Sequence, residues 1–405
     1  MKVLVLSGRF GMGHEMAANA ICEQFRKIDE QAEIEKKDLL EELYPHISKF
    51  IFGGFRMMVE HCYGIYNFIY KMSGRMKVEM QPRGKAIYKK LKKIMDGEQP
   101  DVIVCTHPMC VKAIASYKEK TGLKTPLVTC ITDISMHPEW TAPQTDIYLA
   151  PTQEIKRHLM KEGTRAEDIL VTGIPVRQQF LDADYRQKRE RNRTRRVLIM
   201  GGGLGLMPDL KELLEKLHSM QGVESVVITG KNHKMYEEWV NRYEDVEVLG
   251  YTENISRYMR GADLVITKAG GITLFEILHS QVPLFVIHPF LEQEMNNARY
   301  AAEKGFAKVI WGRREDYIPE IGSTLTCTGA SHVGNAPAKC SIRIPINLSI
   351  DPNATRWIMI GRCFSPSAPV YSSSNLCGSC ISSWIVPHCH VLPIESVRWK
   401  SIFGP

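Results

Sequence analysis

No stretch of this chain approaches the roughly 20 consecutive apolar residues that cross a bilayer. A secretory leader is lacking too: the apolar run Val3–Leu6 is too short, and glycine and polar residues follow it at once. These absences exclude a polytopic membrane protein. They lead us to expect a cytoplasmic chain, at most peripheral on the cytoplasmic face of the cell membrane. Acids are scarce in two places. Between Lys49 and Lys93 only Glu60 and Glu79 oppose recurring Lys and Arg, and much of the formal charge of +7 resides there. Such a stretch favours anionic surfaces. From Cys327 onward Asp351 and Glu395 are the only acids.

Cysteine is plentiful but uneven. Cys22, Cys62, Cys105, Cys110 and Cys130 stand in apolar contexts that suit reduced, buried thiols. Six more, Cys327, Cys340, Cys363, Cys377, Cys380 and Cys389, crowd a terminal region rich in Ser and Pro. "CGSC" followed by "HCH" there imitates a metal site, but the spacing matches no zinc pattern, and no metal is expected.

With 405 residues, 44% of them hydrophobic and 24% charged, the chain suits two domains. Short β-branched runs, "KVLVL", "PDVIVC", "PLVTCIT", "DIYLAP" and "DILVTG", alternate with segments of helical spacing such as "EMAANAICEQFRKI". This is the grammar of a parallel sheet covered by helices. A basic stretch, residues 177–196, reads as a linker. The alternation restarts at "RVLIMGGGLG" and continues through "SVVITG", "VEVLGY", "DLVITKAG", "PLFVIHPF" and "AKVIW". The expectation is α/β, two Rossmann-like doubly wound domains facing a cleft: an N-terminal domain over 1–176 and a second over 197–317. Residues 318–405 lose the alternation, carry the helix breakers Pro337, Pro345, Pro352, Pro366 and Pro369, and read as an atypical, disordered tail, possibly out of frame.

Four loops carry chemistry. "LSGRFGMGHEMAANAI" places Gly8, Gly11 and Gly13 in a tight turn and His14 at the mouth of a helix expected to start at Glu15, a place for an anion. "MGGGLG" offers Gly201, Gly202, Gly203 and Gly205 as amides for a phosphate. It fits a dinucleotide fingerprint only by force: Leu206 takes the place of the last glycine, and Gly230 and Lys231 stand where an acid is needed. In "TKAGGITLFEIL" Gly270 and Gly271 open a turn, and Thr273 with Glu276 matches a capping box, the bland reading; a carboxylate there also suits a ribose diol. "HPFLEQEMNNARY" gathers Glu292, Gln293, Glu294 and Asn297.

Together, Gly-x-Gly-His after the first strand, "TGIPVR" at the junction, the glycine loop, "GG-x-T-x-x-E" and "QE-x-x-N-A" resemble GT-B glycosyltransferases related to the UDP-GlcNAc-dependent peptidoglycan transferases. "TDISMHPEW" and the Gln293–Glu294 pair make the chain similar to the monogalactosyldiacylglycerol synthase and processive diacylglycerol glucosyltransferase family, over about residues 1–317. The resemblance implies inverting transfer of a hexose from a UDP-sugar to a diacylglycerol-type lipid, with no other cofactor and no nucleic-acid partner.

It places His14 as the base, a role that its near-neutral imidazole suits. Asp133 and His137 would orient His14 or the acceptor, the bland reading of Asp133 being a helix cap. On the donor side it implies Gly13, Gly202 and Gly203 near the nucleotide, and Gly270, Gly271 and Thr273 at the diphosphate. Glu276 would take the ribose, Arg177 a phosphate, and Gln293 and Glu294 the sugar. The segment from Lys49 to Lys77 interleaves aromatic, Met and basic residues, and suits the headgroup layer of an anionic membrane as well as a core helix pair. A UDP-sugar epimerase of similar architecture, and an inactive nucleotide- or membrane-binding remnant, are the alternatives.

Overall fold

A computed structural model describes residues 1–76, 84–181, 194–312 apart from 204, 206 and 208, and 318–330, with backbone alone at 60, 74–76 and 326–330. The tail prolines, the tail cysteines from Cys340 onward, the CGSC/HCH segment and linker residues 182–193 lie outside the described residues.

The first half runs β1 (Lys2–Ser7), α1 (Gly13–Ile28), β2 (Glu33–Asp38), α2 (Leu39–Leu43), α3 (Ser48–His61), α4 (Tyr63–Met76), α5 (Lys85–Glu98), β3 (Val102–Cys105), α6 (Pro108–Thr121), β4 (Leu127–Cys130), β5 (Ile147–Ala150), α7 (Gln153–Lys161) and β6 (Ile169–Val171). These strands form a parallel six-stranded sheet in the order β2-β1-β3-β4-β5-β6. Both faces are covered, which is why β1 is apolar without alternation: Val3 and Val5 enter one core layer with Ile21 and Phe25 of α1, while Leu4 and Leu6 enter the other with Leu91 and Ile114. The edge strand β2, "EIEKKD", is a strand absent from the expected pattern. Only one of its sides is paired, and its charged residues stay partly in water.

After α8 (Gln178–Leu181) the second half runs β7 (Arg195–Met200), α9 (Leu210–His218), β8 (Val223–Ile228), α10 (His233–Trp239), β9 (Val246–Leu249), α11 (Ile255–Gly261), β10 (Leu264–Thr267), α12 (Gly271–Ser280), β11 (Leu284–Ile287), α13 (Glu292–Glu303), β12 (Ala307–Ile310) and α14 (Ile318–Ala330). Its order, β12-β11-β10-β7-β8-β9, reverses between β7 and β10, as in dinucleotide-binding sheets. The first sheet reverses between β1 and β3. The linker expectation is shortened at both ends: residues 178–181 are helical, and Arg195 and Arg196 already belong to β7.

Two expectations fail. The chain after Tyr317 was expected to offer no packed helix, yet α14 buries Ile321, Thr324 and Leu325, with Ile321 and Leu325 in the core of the second sheet. Their i, i+4 spacing supplies one apolar stripe, too short to stand out in a sequence window. Cys62 is exposed at the break between α3 and α4, whereas Cys22, Cys105, Cys110 and Cys130 are buried. All described residues lie within one compact unit, Met1–Phe364, in which α1 packs against α12 of the second half.

Candidate active site

The carboxyl ends of the two sheets border one cleft of about 580 Å³, lined by residues of both halves. Ligands bind at such switch points because adjacent loops there diverge to opposite faces of the sheet. The loop after β1 brings His14, the loop after β3 brings His107 with Thr106 buried behind His14, and the chain after β4 brings Thr132 and Asp133. From the other half come Gly201–Gly203 after β7, Lys268 and Gly270 after β10, and the first turn of α13 after β11.

His14 lies in the first turn of α1, which begins at Gly13, two residues earlier than expected. Its Nδ1 lies 2.9 Å from the Thr106 carbonyl and 2.7 Å from Thr132 Oγ1. A carbonyl only accepts, so Nδ1 carries the hydrogen and Nε2 keeps its lone pair. Burial lowers the pKa of His14, against the pull of Asp133 and the Thr106 carbonyl. The imidazole is thus held neutral and ready to accept a proton. His107 packs edge-on against it at 4.5 Å between centroids, and is itself pushed well down by burial and by His14. Thr106, Thr132 and His107 were not singled out from the sequence. A strand-end Thr has no local signature, and only the adjacency of β1, β3 and β4 gives these residues a role.

Asp133 accepts from Trp140 Nε1 at 2.9 Å and from Gln293 Nε2. Burial raises its pKa, with His14, Trp140 and His137 opposing. It caps no helix: the turn Pro138–Trp140 is capped by His137, which accepts from the Glu139 N–H. The other ring nitrogen of His137 lies 3.4 Å from the Tyr70 carbonyl and 3.3 Å from Ser73 Oγ, and its ring packs on Tyr70. His137 therefore holds α4 at the rim of the cleft.

On the opposite wall α12 starts at Gly271 with Gly270 as its cap and no capping side chain. This overturns the capping-box reading: Thr273 and Glu276 sit inside the helix, and Glu276 points inward. Glu276 Oε1 pairs with Arg177 Nη2 at 3.1 Å, the carboxylate buried and the guanidinium partly so; desolvation raises the carboxyl to about 7 although Arg177 pulls it down. Gly271 and Gly203 are close approaches: a Cβ on Gly271 would stand 2.5 Å from the Thr132 carbonyl oxygen, and one on Gly203 would overlap Met12. Gly202 lines the cleft beside it, and Gly13 faces Ile272 of α12. Glu294 pairs with Lys268 at 2.8 Å, and Gln293 reaches Asp133 across the cleft. Lys268, a buried side chain on the same wall, was missed because one Lys at a strand end resembles any solvated loop residue. Asn297 donates to the Ala269 carbonyl at 2.9 Å and braces the loop after β10. Among the described residues no three His, Cys, Asp or Glu side chains gather as a metal would need.

Phe55, Met58, Tyr66, Ile69 and Tyr70 of α3 and α4 form the apolar wall near His14. Beyond it, Phe50 is 81% exposed and Met57 and Phe68 each 65%. No described helix is long and apolar enough to cross a membrane.

Two facing Rossmann-like domains with a cleft between the carboxyl ends of their sheets define the GT-B class. In fold the chain is similar to the spinosyn rhamnosyltransferase SpnG (TM-score 0.53, 16% identity, 81% of this chain and 93% of that one). It is equally similar to the UDP-GlcNAc 2-epimerase of Neisseria meningitidis bound to UDP-GlcNAc (TM-score 0.52, 14% identity, 89% and 98%). Fold alone does not choose between transfer and epimerisation. The profile described as monogalactosyldiacylglycerol (MGDG) synthase matches residues 14–176, and the glycosyltransferase family 28 C-terminal domain matches residues 196–316. A processive diacylglycerol beta-glucosyltransferase of Bacillus thuringiensis (strain Al Hakam) is 30% identical over 76% of this chain and 82% of its own length. That of Bacillus subtilis (strain 168) is 29% identical over 82% and 88%. The chain belongs to this family of diacylglycerol glycosyltransferases.

Proposed function

We propose that the protein transfers a hexose from a UDP-sugar to the hydroxyl of a diacylglycerol-type lipid, with inversion, while lying peripherally on the anionic cytoplasmic face of a membrane. The observation that carries this reading is the position of His14, which lines one cleft with the aromatic side chains of α3 and α4 and with the glycines after β7 and at the start of α12, its Nδ1 engaged by the Thr106 carbonyl so that Nε2 keeps its lone pair. The lipid hydroxyl oxygen attacks the anomeric carbon as its proton passes to Nε2, and the bond to the UDP oxygen breaks on the opposite face. Amides at the start of α12, with Thr273, Gly270 and Gly271, stabilise the departing diphosphate through the helix dipole. Arg177 neutralises phosphate charge, Glu276 accepts the ribose hydroxyls, and Gln293 and Glu294 hold the sugar, with Lys268 fixing Glu294. Gly13, Gly202 and Gly203 leave room for the nucleotide, and Asp133 and His137 order the acceptor rim. Metal is not required for such a departure.

The exposed apolar side chains of α3 and α4 support the lipid-facing part, since contiguous exposed apolar patches mark interaction surfaces. The test is transfer from UDP-glucose and UDP-galactose to diacylglycerol in anionic vesicles. Glycolipid product is expected. Conversion of the UDP-sugar to its epimer without lipid would replace this reading by the epimerase, and nucleotide binding without turnover would favour the inactive remnant.

A further inference from the structure

Helix α4 divides into three faces at helical spacing. Tyr66, Tyr70 and Ser73 line the cleft, Ile69 lines its mouth and is half exposed, and Ile65 and Phe68 are exposed. Tyr63, Asn67 and Lys71, spaced i, i+4 and i+8, form a third stripe that meets the segment entering α13. Tyr63 packs edge-on against Phe290 with centroids 5.4 Å apart. Asn67 Nδ2 donates to the Phe290 carbonyl at 2.8 Å, and its Oδ1 accepts from the Glu292 N–H at 2.8 Å. Lys71 Nζ lies 3.0 Å from Glu292 Oε2. One side chain that satisfies both a carbonyl and an N–H two residues on fixes a peptide segment in register, as a neighbouring strand would.

The segment so held is the threshold of the donor site. Immediately after Glu292 come Gln293, bonded to Asp133, and Glu294, paired with Lys268. The side chains proposed to hold the sugar are therefore placed by contacts from the same helix that exposes Ile65 and Phe68. A shift of α4 along or about its axis has to carry the first turn of α13 with it or break these contacts.

We propose that Tyr63, Asn67 and Lys71 are positioning residues that clasp the α13 threshold, so that seating of the α3–α4 hairpin on a lipid surface sets Gln293 and Glu294 for the donor sugar. UDP-sugar binding and lipid engagement then strengthen one another, because such coupling is reciprocal. This rests on the lipid-facing reading of the hairpin given above.

The experiment uses the full chain and anionic vesicles without diacylglycerol, so that no acceptor is present. Sedimentation reports vesicle binding, and calorimetry reports UDP-glucose and UDP affinity with and without vesicles. Vesicles are expected to tighten UDP-glucose by at least about fivefold and UDP by less, because the clasp acts on the sugar side. Asn67→Ala should bind vesicles and lose the tightening. Lys71→Glu should weaken it, and Lys71→Glu with Glu292→Lys should restore it; vesicle-free melting temperature and UDP affinity should stay unchanged in all of these variants, which a merely structural role would not allow. Vesicle-bound chain with unchanged UDP-glucose affinity, or tightening that survives in Asn67→Ala, overturns the clasp alone. Failure to sediment with vesicles overturns the lipid-facing reading together with it.

Discussion

Arg177 and Glu276 face each other at 3.1 Å, one just past the end of the first domain and the other in the second turn of α12, the carboxylate buried and the guanidinium partly so. The pair joins the two domains across the floor of the cleft. Each partner is also assigned to the nucleotide, so UDP has to divide their attraction.

The first prediction concerns pH at this pair. A ribose diol donates to carboxylate, and Glu276 is raised to about 7 by burial, so UDP affinity should weaken as pH falls from 8 to 6. Stability should move the other way. A carboxyl whose folded pKa exceeds its ordinary 4.5 contributes fully below that value and loses the contribution as pH rises through about 7. Glu276→Gln should flatten both profiles and cost about 1.5–3 kcal/mol of UDP binding for each charge-assisted bond lost. Calorimetry and thermal melts between pH 5 and 8 check this. A UDP affinity that ignores both pH and the substitution would remove Glu276 from the ribose.

The second concerns the base. His14→Ala should lower transfer by about 10²–10⁴-fold and leave UDP affinity nearly unchanged. Thr132→Val removes the hydroxyl at 2.7 Å from Nδ1 and should lower kcat with little effect on UDP. Because burial lowers the His14 pKa, the acid limb of kcat at saturating UDP-sugar, where the Glu276 effect on binding drops out, should lie below pH 6.5. Asp133→Asn, which removes a charge favouring the imidazolium, should move that limb lower still. A limb that stays put would show that His14 does not govern it.

Gly271→Ala tests the close approach of the domains. The added methyl meets the Thr132 carbonyl oxygen at 2.5 Å, a backbone atom with little freedom to yield. Overpacking of this kind costs about 1–3 kcal/mol, and should weaken UDP binding as well as stability. Ligand-free melting and UDP titration separate the two effects.

At the lipid face, Phe50→Ser with Phe68→Ser should reduce vesicle binding without lowering the melting temperature, since these rings are 81% and 65% exposed. Binding should also fall with salt, because charges are screened over about 8 Å at physiological ionic strength. Vesicle sedimentation in neutral and anionic lipid measures both; equal binding to the two lipids would remove the electrostatic part.

For α14, Leu325→Ala should cost about 2–5 kcal/mol in urea unfolding, because Leu325 and Ile321 enter the core of the second sheet. A loss well under 1 kcal/mol would return this segment to an unpacked tail.

Much of the architecture was legible because a strand buried on both faces must be apolar throughout, and β1, β3, β7 and β10 announce themselves in that way. Strand β2 was not, since an edge strand with water on one side tolerates "EIEKKD". The site was legible where glycine and histidine cluster locally, as at Gly13–His14 and Gly270–Gly271. It was illegible at Thr106 and Lys268, which are ordinary residues until a neighbouring strand brings them a partner. The capping-box pattern at Thr273 and Glu276 misled because the helix begins at Gly271, a shift that turns the carboxylate from the helix end to the cleft.

The sequence by itself determined the alternation of strands and helices, the glycine loops at their carboxyl ends and the family. Each of these is written in residues near one another, where apolar period and backbone freedom act. Tertiary structure alone decided the tautomer of His14, set by a carbonyl 92 residues away, and the Arg177–Glu276 pair, 99 residues apart. It also decided which residues of α4 line the cleft, which stay exposed and which meet the segment entering α13. Local periodicity records only that a side chain is buried; which polar atom meets it depends on the order in which the strands lie side by side.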